Sequence, residues 1–142
     1  MKDELLVRGA NTVSMFCRRN INAKKDLPLR SSEIGLLIYT VKAEAIVTPV
    51  MAADFFKVSK PMIATMVKSL CGKGYLIKEP SVTDKRSFIL TPTQKAVDLT
   101  QSVYEEYFKV MNRLLVGMGE EKYKNMVALL DEANTVLLDG DR

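Results

Sequence analysis

Apolar positions recur at helical spacing over most of this chain, and the places where the spacing breaks mark out its elements. Leu6, Ala10, Val13, Cys17 and Ile21, with Leu5 and Phe16 alongside, predict an amphipathic helix over 5–21 that ends before Pro28. From Ser31, the residues Ile34, Leu37, Ile38 and Val41 repeat at i, i+3, i+4, i+7 and continue to Ala45, which is the stripe of a core helix. Thr48-Pro49 then opens a short helix of about Pro49 to Phe56: a Thr hydroxyl caps free amides, and Pro at the first helical position sacrifices no hydrogen bond. After Lys57-Val58, Ser59 offers a second cap, and Ile63, Met66, Val67 and Leu70 form the apolar face of a further helix that stops near Gly72 to Gly74. Tyr75-Leu76-Ile77-Lys78 and Ser87-Phe88-Ile89-Leu90 are β-prone runs on either side of the polar stretch 79–86, which predicts a hairpin with a long, charged tip. Beyond Pro92-Thr93 two more helical patterns follow, about 94–116 with Val103, Tyr107, Met111 and Leu114, and about 120–138 with Tyr123, Met126, Val127, Leu130 and Leu137. Gly117 and Gly119 divide them.

Core helix, short helix, tight turn, short helix and hairpin, in that order, predict a winged helix-turn-helix: a mainly α fold with a small β-hairpin wing. No internal repeat, low-complexity stretch or long linker divides the 142 residues, so a single domain is expected. With Ile63, Met66, Val67 and Leu70 inward, the 100° rotation per residue turns Pro61, Ala64, Thr65 and Lys68 outward, with Lys60 and Met62 flanking. That small, cationic face suits a major groove, where the first residues of a helix meet base edges and nearby amides and lysines hold phosphates. Thr48 and Ser59 are caps at helix starts, where a phosphate also docks. At the hairpin tip Lys85 and Arg86 reach toward the adjacent minor groove, whose negative potential favours Arg.

Charge placement sharpens this picture more than net charge does. The total is only +4, but residues 59–86 carry six basic and two acidic side chains, whereas 87–142 carry six and nine. The chain contains no His, which excludes His-based triads, general acid–base pairs and imidazole metal sites. Its two cysteines, Cys17 and Cys71, fit neither a disulfide framework nor a zinc spacing and are expected as reduced thiols. No cofactor or metal is expected. No apolar run approaches the roughly 20 residues of a membrane span, and the N-terminus leads into no signal-like segment, so a cytoplasmic location is expected.

The stretch TPVMAADFFKVSKPMIATMVKSLCGKGYLIKEPSVTDKRSFILTPTQKA resembles the MarR (multiple antibiotic resistance) type of bacterial regulator in spacing, and the resemblance covers nearly the whole chain. Its most specific element is Asp84-x-Arg86 in the wing, followed by two β residues and then Pro92-Thr93 opening the next helix. The resemblance implies that Arg86 enters the minor groove and Asp84 holds it in place. It also implies a homodimer in which residues 1–27 and 93–142 pair two subunits while 29–92 form the DNA-binding lobe. The function it implies is a transcriptional repressor of sequence-specific double-stranded DNA binding, relieved by a small aromatic or anionic effector held between the dimer helices and the lobe. Tyr39, Tyr104 and Tyr107 are candidates to border that effector site.

The chain departs from the family at four positions. Ala64 and Thr65 stand where many relatives have a polar residue and then Arg, which removes the commonest bidentate reader of guanine. Pro92 replaces the usual Leu and Ala96 the usual Gly, changes expected to be local to a helix start. The first two departures keep open an alternative, a protein-binding winged helix with little DNA affinity. An enzyme built on Asp54 or on Glu105-Glu106 is disfavoured, because these carboxylates lie on polar helix faces with no convergent partner. Lys60, Lys68, Lys73, Lys78 and Lys85 taken singly are ordinary solvated lysines, and it is their placement on a helix-turn-helix and wing that gives them a ligand. Core filling is the expected role of Met66, Met111 and Met126.

Overall fold

In the computed structural model, which describes residues 2–22, 27–83 and 86–141, the chain order is α1 (Lys2–Asn22), α2 (Ser31–Lys42), α3 (Pro49–Phe56), α4 (Lys60–Gly72), β1 (Leu76–Pro80), β2 (Phe88–Pro92), α5 (Gln94–Met118) and α6 (Glu120–Asp141). Hydroxyl caps set three of the helix starts. The Met51 amide donates to Thr48 Oγ1 at 3.2 Å, the Met62 amide to Ser59 Oγ at 3.3 Å, and the Ala96 amide to Thr93 Oγ1 at 3.3 Å. Each satisfies an amide that a helix start leaves open. Between α3 and α4 the chain reverses through Lys57 in the left-handed conformation, φ 55°, and the Val58 amide returns to the Ala53 carbonyl at 3.2 Å.

Helix α2 forms the centre of the lobe. Ile34, Leu36 and Leu37 are completely buried, packed with Ala52 and Ala53 of α3, Ile63, Val67 and Leu70 of α4, Leu76 and Leu90 of the hairpin, and Ala96 and Val103 of α5. Burial runs around the helix and takes in Leu36, Glu33 and Thr40, which lie outside the single stripe that spacing predicts. The Thr40 hydroxyl is satisfied by donating to the Leu37 carbonyl at 2.8 Å.

Three boundaries differ from the sequence expectation. Helix α2 stops at Lys42 rather than continuing to Ala45, because Ala43 is already extended (φ −64°, ψ 134°) and the chain runs on to Val47, whose carbonyl accepts the Leu90 amide at 2.9 Å. That bond ties Val47 to β2 at Leu90. The antiparallel strands lie one or two residues later than the β-prone runs, with Leu76 opposite Pro92 and Pro80 opposite Phe88. Tyr75 serves instead as the connection out of α4, its amide donating to the Leu70 carbonyl at 2.9 Å and its carbonyl accepting the Thr93 amide at 3.0 Å. Gly117 lies within α5, and the break falls at Gly119 alone, whose positive φ of 86° is open to a residue without a Cβ. Pro92 and Ala96 are accommodated locally: Pro92 ends β2, and Ala96 is buried in the first turn of α5.

The terminal helices contrast with the lobe. Of the described side chains on α1, Phe16 is half-buried and the others are exposed, Cys17 included, so Leu6, Ala10, Val13 and Cys17 of its apolar stripe enter no core within this chain, and the Ile21 side chain lies outside the description. Helix α6 packs on α5; on it Tyr123 and Met126 are half-buried and Leu138 is buried, but Val127, Leu130 and Leu137, which carry the same helical pattern, are exposed.

Candidate nucleic-acid interface

The outward face of α4 follows from its inward one. Ile63, Val67 and Leu70 are at most 1% exposed, Met66 is half-buried, and Lys60, Pro61, Met62, Ala64, Thr65 and Lys68 are all exposed. Nothing in the chain covers that face among the described residues. It is small, with Ala64 and the Thr65 methyl at its middle, and cationic at both ends. The Thr65 hydroxyl donates to the Pro61 carbonyl at 3.1 Å, which turns it back on its own helix and leaves its oxygen to accept. Thr48 and Ser59 are half-buried, and their side-chain oxygens are engaged by the amides they cap.

Helix α4 packs on β1 and thereby adjoins the hairpin. Val82 at the hairpin tip is 96% exposed, and Arg86 is exposed where the chain re-enters the described part of the hairpin. Asp84 and Lys85, assigned to the wing on sequence grounds, lie outside the described residues. On β1 the Lys78 ammonium sits 4.8 Å over the Phe88 ring, a cation–π contact across the hairpin.

Sequence reasoning missed a polar cluster behind α4. Glu33, only 3% exposed, accepts the Arg30 amide through Oε1 at 3.2 Å and the Ser69 hydroxyl through Oε2 at 2.7 Å, and Lys73 Nζ stands 3.8 Å from the same Oε2. Lys73 is therefore partly committed to the protein and is set apart from Lys60 and Lys68. At the same helix end, Lys95 Nζ donates to the Lys73 carbonyl at 2.7 Å and lies 4.5 Å over the Tyr75 ring. Residue type gave no signal here: a Glu three residues into a helix reads as an exposed helix-start residue, and only the packing of α4 on α2 encloses it.

A cavity of about 520 Å³ opens between α2, the 43–47 segment, α3 and α5. Its walls are apolar and aromatic, with Ile38, Tyr39, Ile46, Phe55 and Tyr107 among them and Lys42 and Glu44 as the charged residues. Tyr39 stacks on Phe55 with ring centroids 4.5 Å apart and meets Phe56 edge-on at 5.5 Å. Of the three tyrosines expected near an effector, Tyr39 and Tyr107 line this cavity, whereas Tyr104 lies outside it, against Phe108 and under the Lys42 ammonium. Burial raises the Tyr107 phenol above its ordinary pKa of 10.0, and a hydrogen bond with Ser31 opposes the rise. Its oxygen lies 2.8 Å from where a Cβ on Gly35 would stand, so Gly35 is the residue that lets α5 come this close to α2.

Among the described residues no three His, Cys, Asp or Glu side chains gather to hold a metal, and no helix is long and apolar enough to cross a membrane. No protein-family model and no curated protein matches the sequence. Solved structures do match. A MepR-like protein complexed with pseudoligands superposes with a TM-score of 0.79 at 11% identity, over 96% of each chain. Sco3205 from Streptomyces coelicolor, a MarR family transcriptional regulator in complex with DNA, gives 0.77 at 13% identity, over 96% of this chain and 92% of its own. The S. aureus MepR–DNA complex gives 0.74 at 14% identity, over 87% and 94%. At these identities what is shared is architecture, and it extends to both terminal regions as well as the winged lobe: the chain has the winged helix-turn-helix fold of the MarR-type transcriptional regulators.

Proposed function

We propose that this protein is a cytoplasmic, homodimeric transcriptional regulator that binds double-stranded DNA in a sequence-dependent way and represses transcription. The observation that carries the reading is the uncovered, lysine-flanked face of α4 beside the hairpin, in a fold that two of its neighbours present to DNA. In this reading Lys60 and Lys68 hold phosphates and Pro61, Met62, Ala64 and Thr65 face base edges, with apolar contact to thymine methyls taking the place of an Arg–guanine pair. The caps at Thr48 and Ser59 present helix N-termini to the backbone. Arg86, held by Asp84 and assisted by Lys85, enters the minor groove. Residues 1–27 and 93–142 pair the subunits and 29–92 form the DNA-binding lobe, so a two-fold operator with half-sites about one helical turn (roughly 34–36 Å) apart is expected. The cavity between α2, α3 and α5 is the place for an effector, and its aromatic walls, with one Lys42 ammonium offset by the Glu44 carboxylate, favour a planar aromatic molecule with at most one negative charge.

Binding of the purified protein to duplex DNA across a salt series tests the reading. The log of affinity should fall steeply with the log of salt, and Arg86→Ala should weaken binding several-fold and reduce that slope by about 1. Absence of salt-dependent duplex binding at low ionic strength sinks the proposal in favour of a protein-binding winged helix.

A further inference from the structure

Two charged residues stand where local physics disfavours them. Glu33 is a carboxylate almost fully withdrawn from water, a position that is costly unless it is paired and hydrogen-bonded. Lys95 is the second residue of α5, in the first turn, where the helix dipole repels a cation. Both side chains are directed at the same target, the C-terminal end of α4. Glu33 Oε2 takes the Ser69 hydroxyl at 2.7 Å and faces Lys73 Nζ at 3.8 Å. Lys95 Nζ takes the Lys73 carbonyl at 2.7 Å, one of the groups a helix end leaves unpaired, and there its charge complements the negative pole of α4. Thr93, one residue before α5, adds its hydroxyl to the Gly74 carbonyl at 2.7 Å and to the Tyr75 carbonyl at 3.2 Å.

We propose that Glu33 and Lys95 are positioning residues that clamp the C-terminal end of α4 to α2 and to the start of α5, fixing the angle at which α4 meets a DNA groove; this rests on the DNA-binding reading above. Apolar packing of Ile63, Val67 and Leu70 holds α4 against the lobe but tolerates small sliding and rotation. Directional bonds at one end remove that freedom. Because this contact sits in the first turn of the 25-residue α5, the clamp also ties the pose of α4 to the helix assigned to the dimer. Such residues affect discrimination between sequences, which needs α4 in register with base edges, and leave untouched the phosphate attraction that every duplex offers.

The experiment compares wild type, the double variant Ser69→Ala/Lys95→Met and the rescue variant Ser69→Thr/Lys95→Arg. The probes are the duplex most enriched when the protein selects fragments from genomic DNA, and a shuffled duplex of the same length and composition. Across a salt series the Ala/Met variant is expected to lose about tenfold in the ratio of selected to shuffled affinity, with its affinity for the shuffled duplex and its salt slope unchanged, and the Thr/Arg variant to recover the ratio. A ratio within twofold of wild type overturns the proposal. So does a loss accompanied by a slope lower by about 0.9, which makes Lys95 a direct phosphate contact, or an equal loss for both duplexes. Should the double variant fail to fold, Ser69→Ala alone is expected to lose about threefold in the ratio, and an unchanged ratio overturns the proposal equally. A wild type that binds neither duplex overturns the DNA-binding reading itself, an outcome distinct from a preserved binder with a preserved ratio.

Discussion

In the lobe Ile34, Leu36 and Leu37 are completely covered, whereas Leu5, Val13, Leu129 and Leu137 on the terminal helices stand 59–73% exposed. The two regions have similar helical spacing of apolar residues and opposite fates for them. In the lobe α2 is surrounded by α3, α4, α5 and the hairpin, so one chain completes its own core. Among the described residues α1 buries no side chain fully, and α6 packs mainly on α5 and buries Leu138. Isolated helices with a bare apolar stripe are poorly stable in water, and large exposed patches mark surfaces that meet another molecule. The contrast teaches that amphipathic spacing announces burial without saying whether the burying surface belongs to the same molecule. A second copy is the partner under the proposed function.

The largest expected effect lies in the lobe. Leu37→Ala removes a completely buried side chain and is expected to cost about 3 kcal/mol in denaturant unfolding, with little dependence of that loss on protein concentration. On the other side, Leu6→Asp combined with Leu137→Asp touches residues exposed in the single chain, so a monomeric protein would hardly notice. The dimer reading instead expects the self-association constant in sedimentation equilibrium to weaken about a hundredfold, about 2.7 kcal/mol. An unchanged sedimentation profile would assign these stripes to some other partner.

The junction between the regions, where α5 crosses α2, gives a smaller and more pointed effect. Gly35→Ala places a Cβ 2.8 Å from the Tyr107 oxygen, and overpacking of about 2 kcal/mol against a helix-propensity gain of about 1 leaves a net loss near 1 kcal/mol in thermal unfolding. Adding Tyr107→Phe removes the atom in the way, and the double variant is expected to be more stable than Tyr107→Phe alone. If Gly35→Ala is equally harmful in both backgrounds, the close approach at this oxygen is not what the glycine serves. Tyr107 also has a pH signature. Its folded pKa is raised, so its neutral form stabilises the fold fully below pH 10.0, and that contribution is lost as pH rises from there through the folded value, a decline that Tyr107→Phe should flatten.

Much of the lobe is legible in the order of its residues because its signals are local. Thr48-Pro49 and Ser59 define the starts of α3 and α4 through bonds made within three residues. The outward set on α4 follows from the inward one by helical geometry alone. What escaped depends on contacts distant in sequence. The end of α2 is moved from Ala45 to Lys42 because Val47 is drawn to Leu90, and the first strand starts after Tyr75 because Tyr75 is taken by Leu70 and Thr93. Glu33 looks like a surface residue until Ser69, 36 positions later, meets it.

Local order along the chain specifies the element types and their succession, the apolar face of each helix in the lobe, the caps, and the concentration of cations in 59–86, since each is written in neighbours a few positions apart. Long-range packing set the rest: α2 is buried on more than one side, Glu33 and Lys95 both bond to one helix end, Tyr39 and Tyr107 share a cavity while Tyr104 does not, and the stripes of α1 and α6 are left largely uncovered by their own chain. Periodicity specifies which face of an element avoids water; which surface arrives to cover that face is fixed by the packing of segments far apart along the chain.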